Sequence, residues 1–215
     1  MATVFMTGGT GYLGRALISP LLRRGHSLLA LARARSVAKL PDGCTPVIGD
    51  PLMRETFAGK IAPADTFVQL VGTPHPAPWK GAQFRAVDRV SALASIAAAK
   101  DAGVRHFVYV SVAQPAPIMR DYLAVRAECE AALRASGMPA TVLRPWYILG
   151  PGHWWPYALI PIYRVMERIP STAAGARRLG LVTRGQMVAA LVQAVEEPVD
   201  KGVQILDVPQ ILLNE

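Results

Sequence analysis

The fold of this chain is decided near its start by the stretch Thr7-Gly8-Gly9-Thr10-Gly11-Tyr12-Leu13-Gly14. Residues 2–6 before it are apolar and partly β-branched, a composition that favours a strand. Behind it, Leu17, Ile18 and Leu21 recur at the spacing of one helical face. The sequence therefore predicts a strand that runs through a glycine-rich turn directly into a helix.

The glycines of this turn are spaced as Gly9-x-Gly11-x-x-Gly14. Glycine lets a backbone turn tightly and approach a pyrophosphate, and the helix behind the turn offers free N–H groups at its positive end. A turn that needs glycine for steric reasons alone is the alternative, but the strand before it and the helix after it favour dinucleotide binding. The expected contacts to the cofactor are Gly8, Gly9, Thr10, Gly11, Tyr12, Leu13 and Gly14.

The first two thirds of the chain alternate short apolar runs with helical patterns, which is typical of a parallel sheet covered by helices. The apolar runs are continuous, as expected of strands that are buried on both faces. Strands are predicted over 2–7, 27–33, 45–49, 65–71, 105–111 and 139–144. Helices are predicted over 11–24, 51–59, 83–102 and 121–136. The predicted fold class is α/β, a doubly wound parallel Rossmann sheet in a single domain over 1–215.

The helix predicted over 83–102 is expected to cross the sheet and to bury one apolar face. That face is predicted to hold Val87, Val90, Leu93, Ala94 and Ala97. Asp88 lies on the same helix, and we expect it to form a salt bridge with Arg85; contact with the active site is the alternative.

The character of the sequence changes after Gly152. A strand near 178–182, a helix near 185–196 and a strand near 203–207 are predicted there. These elements are too short for an independent domain. We therefore expect residues 146–170 and the C-terminal segment to form a small cap on the substrate side.

Composition excludes several classes of protein. Hydrophobic residues make up 52% of the 215-residue chain, and the mean hydropathy is +0.27. This predicts a large core, although no apolar run is long enough to span a membrane. Cys44 and Cys129 show neither metal-ligand nor redox spacing, which favours reduced structural thiols in a cytoplasmic protein.

The formal net charge is +8, without a run of five basic residues. The dispersed charge argues against nucleic acid as a partner. Trp154 and Trp155 lie next to a basic stretch with Arg164 and Arg168, and together they favour weak contact with an anionic membrane surface. A lid over the substrate pocket explains the tryptophans equally well.

Arg33 ends the second predicted strand, about twenty residues after the glycine turn. NAD-binding proteins usually have Asp or Glu there, which accepts hydrogen bonds from the ribose 2′-hydroxyl. A guanidinium instead pairs well with a 2′-phosphate, so Arg33 favours NADP over NAD. The alternative is that Arg33 and Arg35 are solvated residues at a helix start.

These features together resemble the short-chain dehydrogenase/reductase family, in its extended or atypical branch with nitrogen-repressor-like and complex I accessory-subunit-like proteins. Besides the glycine turn, Gly49-Asp50 resembles the family's adenine-contacting position. Residues 99–111 resemble its helix-to-fifth-strand junction. Residues 140–145 and 149–152 resemble its sixth strand and the following turn. The resemblance covers nearly the whole chain and implies further cofactor contacts at Asp50, Pro51, Leu70, Val71, Gly72 and Pro145.

The resemblance also implies a catalytic pair, a Tyr and a Lys four residues apart on one helical face. This chain has Tyr122 and Arg126 at that spacing, so it keeps the positive charge but not the ammonium geometry. Ser111 lies near the family's catalytic serine, although the usual position, two residues later, is Ala113. The resemblance makes Ser111, Tyr122 and Arg126 the expected catalytic residues and further expected cofactor contacts. The alternative is structural, with Tyr122 a half-buried aromatic residue and Ser111 a hydrogen-bonding residue at the strand end.

The function predicted from the sequence is an NADP-dependent oxidoreductase. It would transfer a hydride between nicotinamide and a small carbonyl or alcohol substrate. The alternative is a catalytically degenerate NAD(P)-binding sensor or assembly protein, since Arg126 and Ala113 depart from the family pattern.

Overall fold

A seven-stranded, entirely parallel sheet organises the chain in the computed structural model, which describes residues 1–152 and 160–214. Its strands are β1 (Thr3–Thr7), β2 (Ser27–Ala32), β3 (Thr45–Ile48), β4 (Thr66–Gln69), β5 (His106–Val110), β6 (Ala140–Arg144) and β9 (Val203–Asp207). Their spatial order is β3-β2-β1-β4-β5-β6-β9. The predicted α/β class and doubly wound sheet are confirmed.

Strand order reverses between β1 and β4, because the chain first adds strands on one side of β1 and then on the other. In open α/β sheets the ligand crevice lies at the carboxyl ends of the strands at such a point. The turn after β1 and the loop after β4 therefore flank the expected cofactor site.

Helices cover both faces of the sheet. One face packs against α1 and α7, and the other against α3 and α4. The helices are α1 (Tyr12–Arg23), α2 (Gly81–Gln83), α3 (Val90–Asp101), α4 (Arg120–Ser136), α5 (Ile160–Arg168), α6 (Pro170–Arg178), α7 (Arg184–Glu196) and α8 (Val208–Ile211). No helix among the described residues is both long and apolar enough to cross a membrane.

A row of phenylalanines fills the core under α3 and α4. Phe5, Phe67 and Phe107 occupy one register row on β1, β4 and β5. The ring centroids of Phe67 lie 5.2 Å from those of both neighbours. All three side chains are fully buried, so this row fixes the register of the strands that carry the site.

The buried face of the crossover helix differs from the predicted one. α2 continues through a π-helical segment (Phe84–Arg89) into α3. The buried residues are Phe84, Asp88, Ser91, Ala92, Ser95, Ile96, Ala98 and Ala99, whereas the predicted apolar face is only half-buried. The prediction is wrong because two polar side chains of this helix have partners inside the protein: Ser91 accepts a hydrogen bond from the buried Gln69 of β4, and Asp88 accepts one from Arg126.

Two further predictions are corrected. The helix predicted over 51–59 is replaced by two short 3₁₀ turns, Arg54–Thr56 and Ala58–Lys60. The Thr56 hydroxyl bonds locally to the Asp50 N–H and the Met53 carbonyl, which favours a tight turn over a regular helix. The pairing of Asp88 with Arg85 is also wrong, since Arg85 faces Asp121 instead.

The chain after β6 forms a second, two-stranded parallel pair. β7 (Tyr147–Leu149) pairs with β8 (Leu181–Thr183), where a strand was predicted near 178–182. The C-terminal β9 is the seventh strand of the main sheet rather than part of a separate layer. The substrate-side cap over 146–170 stays a prediction, and residues 153–159, including Trp154 and Trp155, lie outside the described residues.

Candidate functional site

The glycine turn has the geometry of a phosphate-binding turn. Gly8 adopts a left-handed backbone with φ +76°, and a Cβ there would lie 2.8 Å from the Leu70 carbonyl carbon. A Cβ on Gly14 would lie 2.6 Å from the Gly9 Cα, because α1 passes directly against the turn. Only glycine fits at either position. Both requirements bring the backbone of β1, β4 and α1 close together at one point.

The N-terminus of α1 lies at the glycine turn. Gly11 is the N-cap, no side chain caps the helix, and its first turn contains no acidic residue. Helix N-termini of this kind bind phosphate through the N–H groups and the helix dipole. The residues present therefore fit the pyrophosphate of a dinucleotide.

Basic and aromatic side chains line a cavity of about 440 Å³ beside this turn. Arg15 lies on α1, and Arg184, the first residue of α7, lies opposite. The Arg184 guanidinium lies 5.2 Å from the centroid of the Tyr12 ring. The entrance to the glycine turn is thus positively charged, which favours a phosphate-rich ligand.

Arg33 immediately follows β2, and its side chain is exposed. Because β2 is the direct neighbour of β1, Arg33 lies at the same carboxyl edge of the sheet as the glycine turn. Asp50 follows β3 at that edge, and its carboxylate accepts a hydrogen bond from the Leu52 N–H. Cofactor contacts at Arg33, Asp50 and Pro51 stay predictions, and the structure places all three after neighbouring strands.

Arg126 is buried in an ion pair that the sequence did not reveal. Its Nη2 donates to Asp88 Oδ1 at 2.6 Å, and its Nη1 donates to the Tyr109 hydroxyl and the Val110 carbonyl, each at 3.0 Å. Asp88 is fully buried and also accepts bonds from the N–H and hydroxyl of Thr73. Both Nη groups of Arg126 are therefore occupied by protein partners.

The electrostatics of this pair favour its charged form. Burial alone would lower the pKa of Arg126, but the neighbouring Tyr109, Tyr122 and Asp88 raise that pKa well above its ordinary value. Burial raises the pKa of Tyr109, which is consequently a neutral hydroxyl at any physiological pH. A Cβ on Gly72 would lie 2.7 Å from Arg126 Nη2, so the loop after β4 rests directly on the ion pair.

The predicted pairing of Tyr122 with Arg126 on one helical face is confirmed. The guanidinium carbon lies 5.0 Å from the Tyr122 ring centroid, within the range of a cation–π contact. The half-buried Tyr122 ring also packs against Phe84 at 4.8 Å. The positive charge thus contacts the ring face of Tyr122, while the Arg126 donors point to Asp88 and Tyr109.

Ser111 belongs to a second buried network. Its Oγ donates to Glu130 at 2.7 Å, and Glu130 also accepts from Gln114 and forms a bidentate pair with Arg144. Burial alone would raise the pKa of Glu130, but the bonds from Arg144 and Ser111 outweigh it and lower that pKa. Ser111 is itself buried, so its predicted catalytic and cofactor roles stay predictions beside a clear structural one.

Pro145, Leu70 and Val71 directly follow strands of the main sheet. Pro145 follows β6, and its carbonyl accepts a hydrogen bond from Ala113 N–H. Leu70 and Val71 follow β4 beside Gly8. These contacts also stay predictions.

Sequence reasoning missed Thr73, Tyr109, Glu130 and Arg144 and misassigned Asp88. One signal was present: Arg126, Glu130 and Arg134 recur every four residues on α4, which is the spacing of neighbours on a helical face. The partners Asp88, Tyr109 and Arg144 lie on other elements that are distant in sequence, so no spacing along the chain indicates these contacts.

A comparison with protein families matches residues 8–152 to the NAD(P)H-binding family. Among curated proteins, a ketoreductase of Stigmatella aurantiaca, named for 4-hydroxy-2-methyl-3-oxo-4-farnesyl-3,4-dihydroquinoline-1-oxide, is 32% identical over 168 residues, or 68% of this chain and 50% of that protein. Ceramide reductase of Caulobacter vibrioides is 28% identical over 95% of this chain and 64% of that protein. The chain thus spans about half to two thirds of these relatives.

Solved structures share the fold. The Bordetella bronchiseptica enzyme WbmH in complex with NAD+ superposes with a TM-score of 0.71 at 21% identity, over 96% of this chain and 75% of that one. UDP-N-acetylglucosamine 4-epimerase from Bacillus cereus gives 0.70 at 17% identity, over 96% and 79%. At these identities the likeness shows a shared fold.

Proposed function

Because this chain belongs to the NAD(P)H-binding family and has the fold of the short-chain dehydrogenases/reductases, we propose that it is an NADP-dependent oxidoreductase acting on a carbonyl or alcohol substrate. The observation that carries the proposal is the glycine turn, where Gly8 and Gly14 let the turn pack against the end of β4 and the N-terminus of α1, which no side chain caps. The reductase names of two relatives support the direction of reduction.

The preference for NADP rests on charge at the carboxyl ends of β1 and β2. Arg33 stands where a ribose-binding carboxylate would favour NAD. Its exposed guanidinium is free to meet a 2′-phosphate, for which a planar, permanently charged group is well suited. The positive cavity with Arg15 and Arg184 adds to the attraction of a phosphate-rich cofactor.

In this proposal the bound cofactor supplies the hydride, and the residues of the chain hold the substrate and move one proton. The Tyr122 hydroxyl donates that proton to the substrate oxygen as the carbonyl is reduced. Arg126 positions the Tyr122 ring through the cation–π contact, while Asp88 holds Arg126 in place. Arg126 is thus a positioning residue, in contrast to the ribose-binding lysine of the family.

A second function is favoured by the same two networks. Arg126 and Ser111 are both engaged by buried carboxylates, Asp88 and Glu130. A protein that binds NADPH and responds to it without turnover needs the glycine turn and Arg33 but no free catalytic pair. The sensor therefore shares the cofactor site with the enzyme and differs only at the substrate end.

Turnover with purified protein separates the two functions. NADPH is mixed with a panel of aldehydes, ketones and quinones, and loss of NADPH absorbance is followed together with product formation. The enzyme proposal expects stoichiometric product from at least one carbonyl compound. Tight NADPH binding without turnover of any carbonyl compound or quinone would support the sensor instead, and absence of NADPH binding would contradict both.

A further inference from the structure

Arg184 comes from the C-terminal part of the chain, yet it lies beside the glycine turn at the start of the sequence. It is the first residue of α7 and directly follows β8. Its guanidinium carbon lies 5.2 Å from the centroid of the Tyr12 ring, and Tyr12 is the first residue of α1. These two residues are distant in sequence, so no spacing along the chain indicates their contact.

The start of α7 is fixed by its own hydrogen bonds. The Thr183 hydroxyl accepts a bond from the Gln186 N–H at 3.1 Å, and the Gln186 side-chain oxygen accepts one from the Thr183 N–H at 2.9 Å. This reciprocal cap satisfies donors of the first turn and sets the direction in which the chain enters the helix. The Arg184 side chain therefore extends from a well-defined backbone.

A close approach of the backbone holds Arg184 and Tyr12 together. β7 and β8 pair in parallel with Leu149 opposite Thr183, which brings Gly150 next to Arg184. A Cβ on Gly150 would collide with the Tyr12 hydroxyl oxygen and would lie 3.3 Å from the Arg184 Cβ. The lack of a side chain at Gly150 thus lets the end of β7 pack directly against both residues.

Arg184 lines the cavity of about 440 Å³ beside the glycine turn. Thr10 and Gly11 of the turn and Arg15 of α1 line the same cavity. Gly11 is also the N-cap of α1. Two guanidinium groups, one from each end of the chain, therefore line one space at the N-terminus of α1.

The charge of Arg184 does not stabilise α7 itself. A helix dipole is positive at its N-terminus, so a carboxylate is favoured in the first turn and a cation is not. The first turn of α7 contains no acidic residue. A phosphate in the cavity would be attracted by Arg184, by Arg15 and by the N-terminus of α1 together. An anionic ligand therefore explains the position of Arg184 better than the stability of α7 does.

We propose that Arg184 binds a phosphate group of the dinucleotide, so that the C-terminal part of the chain supplies a cofactor-binding residue. This inference rests on the proposed function and deepens it, because neither the glycine spacing nor the position of Arg33 predicts the contact. A planar guanidinium can donate two parallel hydrogen bonds to a phosphate, which a lysine cannot do. The diphosphate, which NADPH and NADH share, is the expected group, since Gly11 lines the same cavity.

Fluorescence titrations of NADPH and of NADH against the full chain test the contact. Arg184→Met removes the charge and keeps a long side chain, and it should weaken the binding of both cofactors equally, by about tenfold or more. The ratio of the two affinities should stay unchanged. Arg184→Lys keeps the charge and should still bind both cofactors more weakly than the wild type. A loss confined to NADPH would support the contact and assign it to the 2′-phosphate.

Arg23→Met is the matched control, because Arg23 is an exposed arginine at the opposite end of α1 and should leave both affinities unchanged. Urea unfolding verifies that each variant is folded. Unchanged affinities in a folded Arg184→Met would overturn the inference and leave the proposed function intact, provided that the wild type binds NADPH. Wild-type affinities in Arg184→Lys, or an equal loss in Arg23→Met, would show attraction by general positive charge and overturn it as well. A wild type that does not bind NADPH would contradict the proposed function and this inference together.

Discussion

Arg126 Nη2 lies 2.6 Å from Asp88 Oδ1, and both side chains are buried between α4 and the π-helical segment before α3. This pair connects three parts of the site. Asp88 holds the loop after β4 through Thr73, and Arg126 holds the end of β5 through the Val110 carbonyl. Arg126, which the family resemblance makes an expected cofactor contact, thus helps to hold the loops at the expected cofactor site in place.

Breaking this pair should destabilise the fold. Asp88→Asn and Arg126→Met should each lower the free energy of unfolding by about 3–5 kcal/mol, because each leaves a buried partner uncompensated. The double variant should lose clearly less free energy of unfolding than the two single variants lose together. Urea unfolding measures all three. Arg89→Ala, which breaks the exposed pair with Glu128, is the control and should change stability little. Additive losses in the double variant would contradict the coupling.

Arg126→Lys is part of the same prediction. A lysine has no planar fork and cannot serve Asp88, Tyr109 and Val110 together. Restoring the family's Tyr–Lys pair should therefore lower stability. Unchanged stability together with a higher rate would show that the ion pair is dispensable for the fold.

Substitution of Tyr122 should mainly affect activity, whereas substitution of Ser111 should mainly affect stability. Tyr122→Phe should lower kcat about 10²- to 10⁴-fold if the hydroxyl is the proton donor, with stability and NADPH affinity nearly unchanged. Ser111→Ala should mainly lower stability, by about 1.5–3 kcal/mol, because it removes a hydrogen bond to the buried Glu130 carboxylate. Steady-state kinetics and urea unfolding are measured on both variants. Full activity in Tyr122→Phe would place the proton transfer elsewhere.

Stability should depend on pH through His106. Burial lowers the pKa of this histidine to about 4, and its Nε2 bonds to the Thr141 hydroxyl. In the unfolded chain this histidine takes up a proton near pH 6.5, whereas in the folded chain it stays neutral down to about pH 4. Stability is therefore complete above pH 6.5 and falls by roughly 3 kcal/mol as the pH decreases to 4. His106→Gln should remove this part of the pH dependence in urea unfolding, and an identical profile in both proteins would refute the assignment.

Cofactor preference should follow Arg33. Wild-type protein should bind NADPH more tightly than NADH. Arg33→Ala should lower the ratio of the NADPH affinity to the NADH affinity by about tenfold or more, because it removes a charged hydrogen bond to the 2′-phosphate. Arg33→Asp should reverse it. Arg23→Ala, an exposed arginine at the end of α1, serves as the control. Equal affinities in the unmutated protein would remove the argument for Arg33.

The strands could be predicted from sequence because parallel strands buried on both faces are continuous apolar runs. The glycine turn could be predicted because its glycines satisfy local backbone requirements at fixed spacing. The buried face of the π-helical segment and α3 could not, since Asp88 and Ser91 are paired with Arg126 on α4 and Gln69 on β4, which are distant in sequence. For the same reason the Tyr122–Arg126 spacing predicted their contact but not the ion pair that redirects Arg126.

A fluorescence titration of NADPH against the wild type and Gly14→Ala tests whether the glycine turn binds the cofactor. A Cβ at Gly14 would lie 2.6 Å from the Gly9 Cα and displace the turn from α1. Gly59→Ala is the matched control, because a Cβ there meets nothing within 4 Å. We expect saturable binding in the wild type and in Gly59→Ala, and its loss in a folded Gly14→Ala. Equal NADPH affinity in all three proteins would show that NADPH does not bind at the glycine turn.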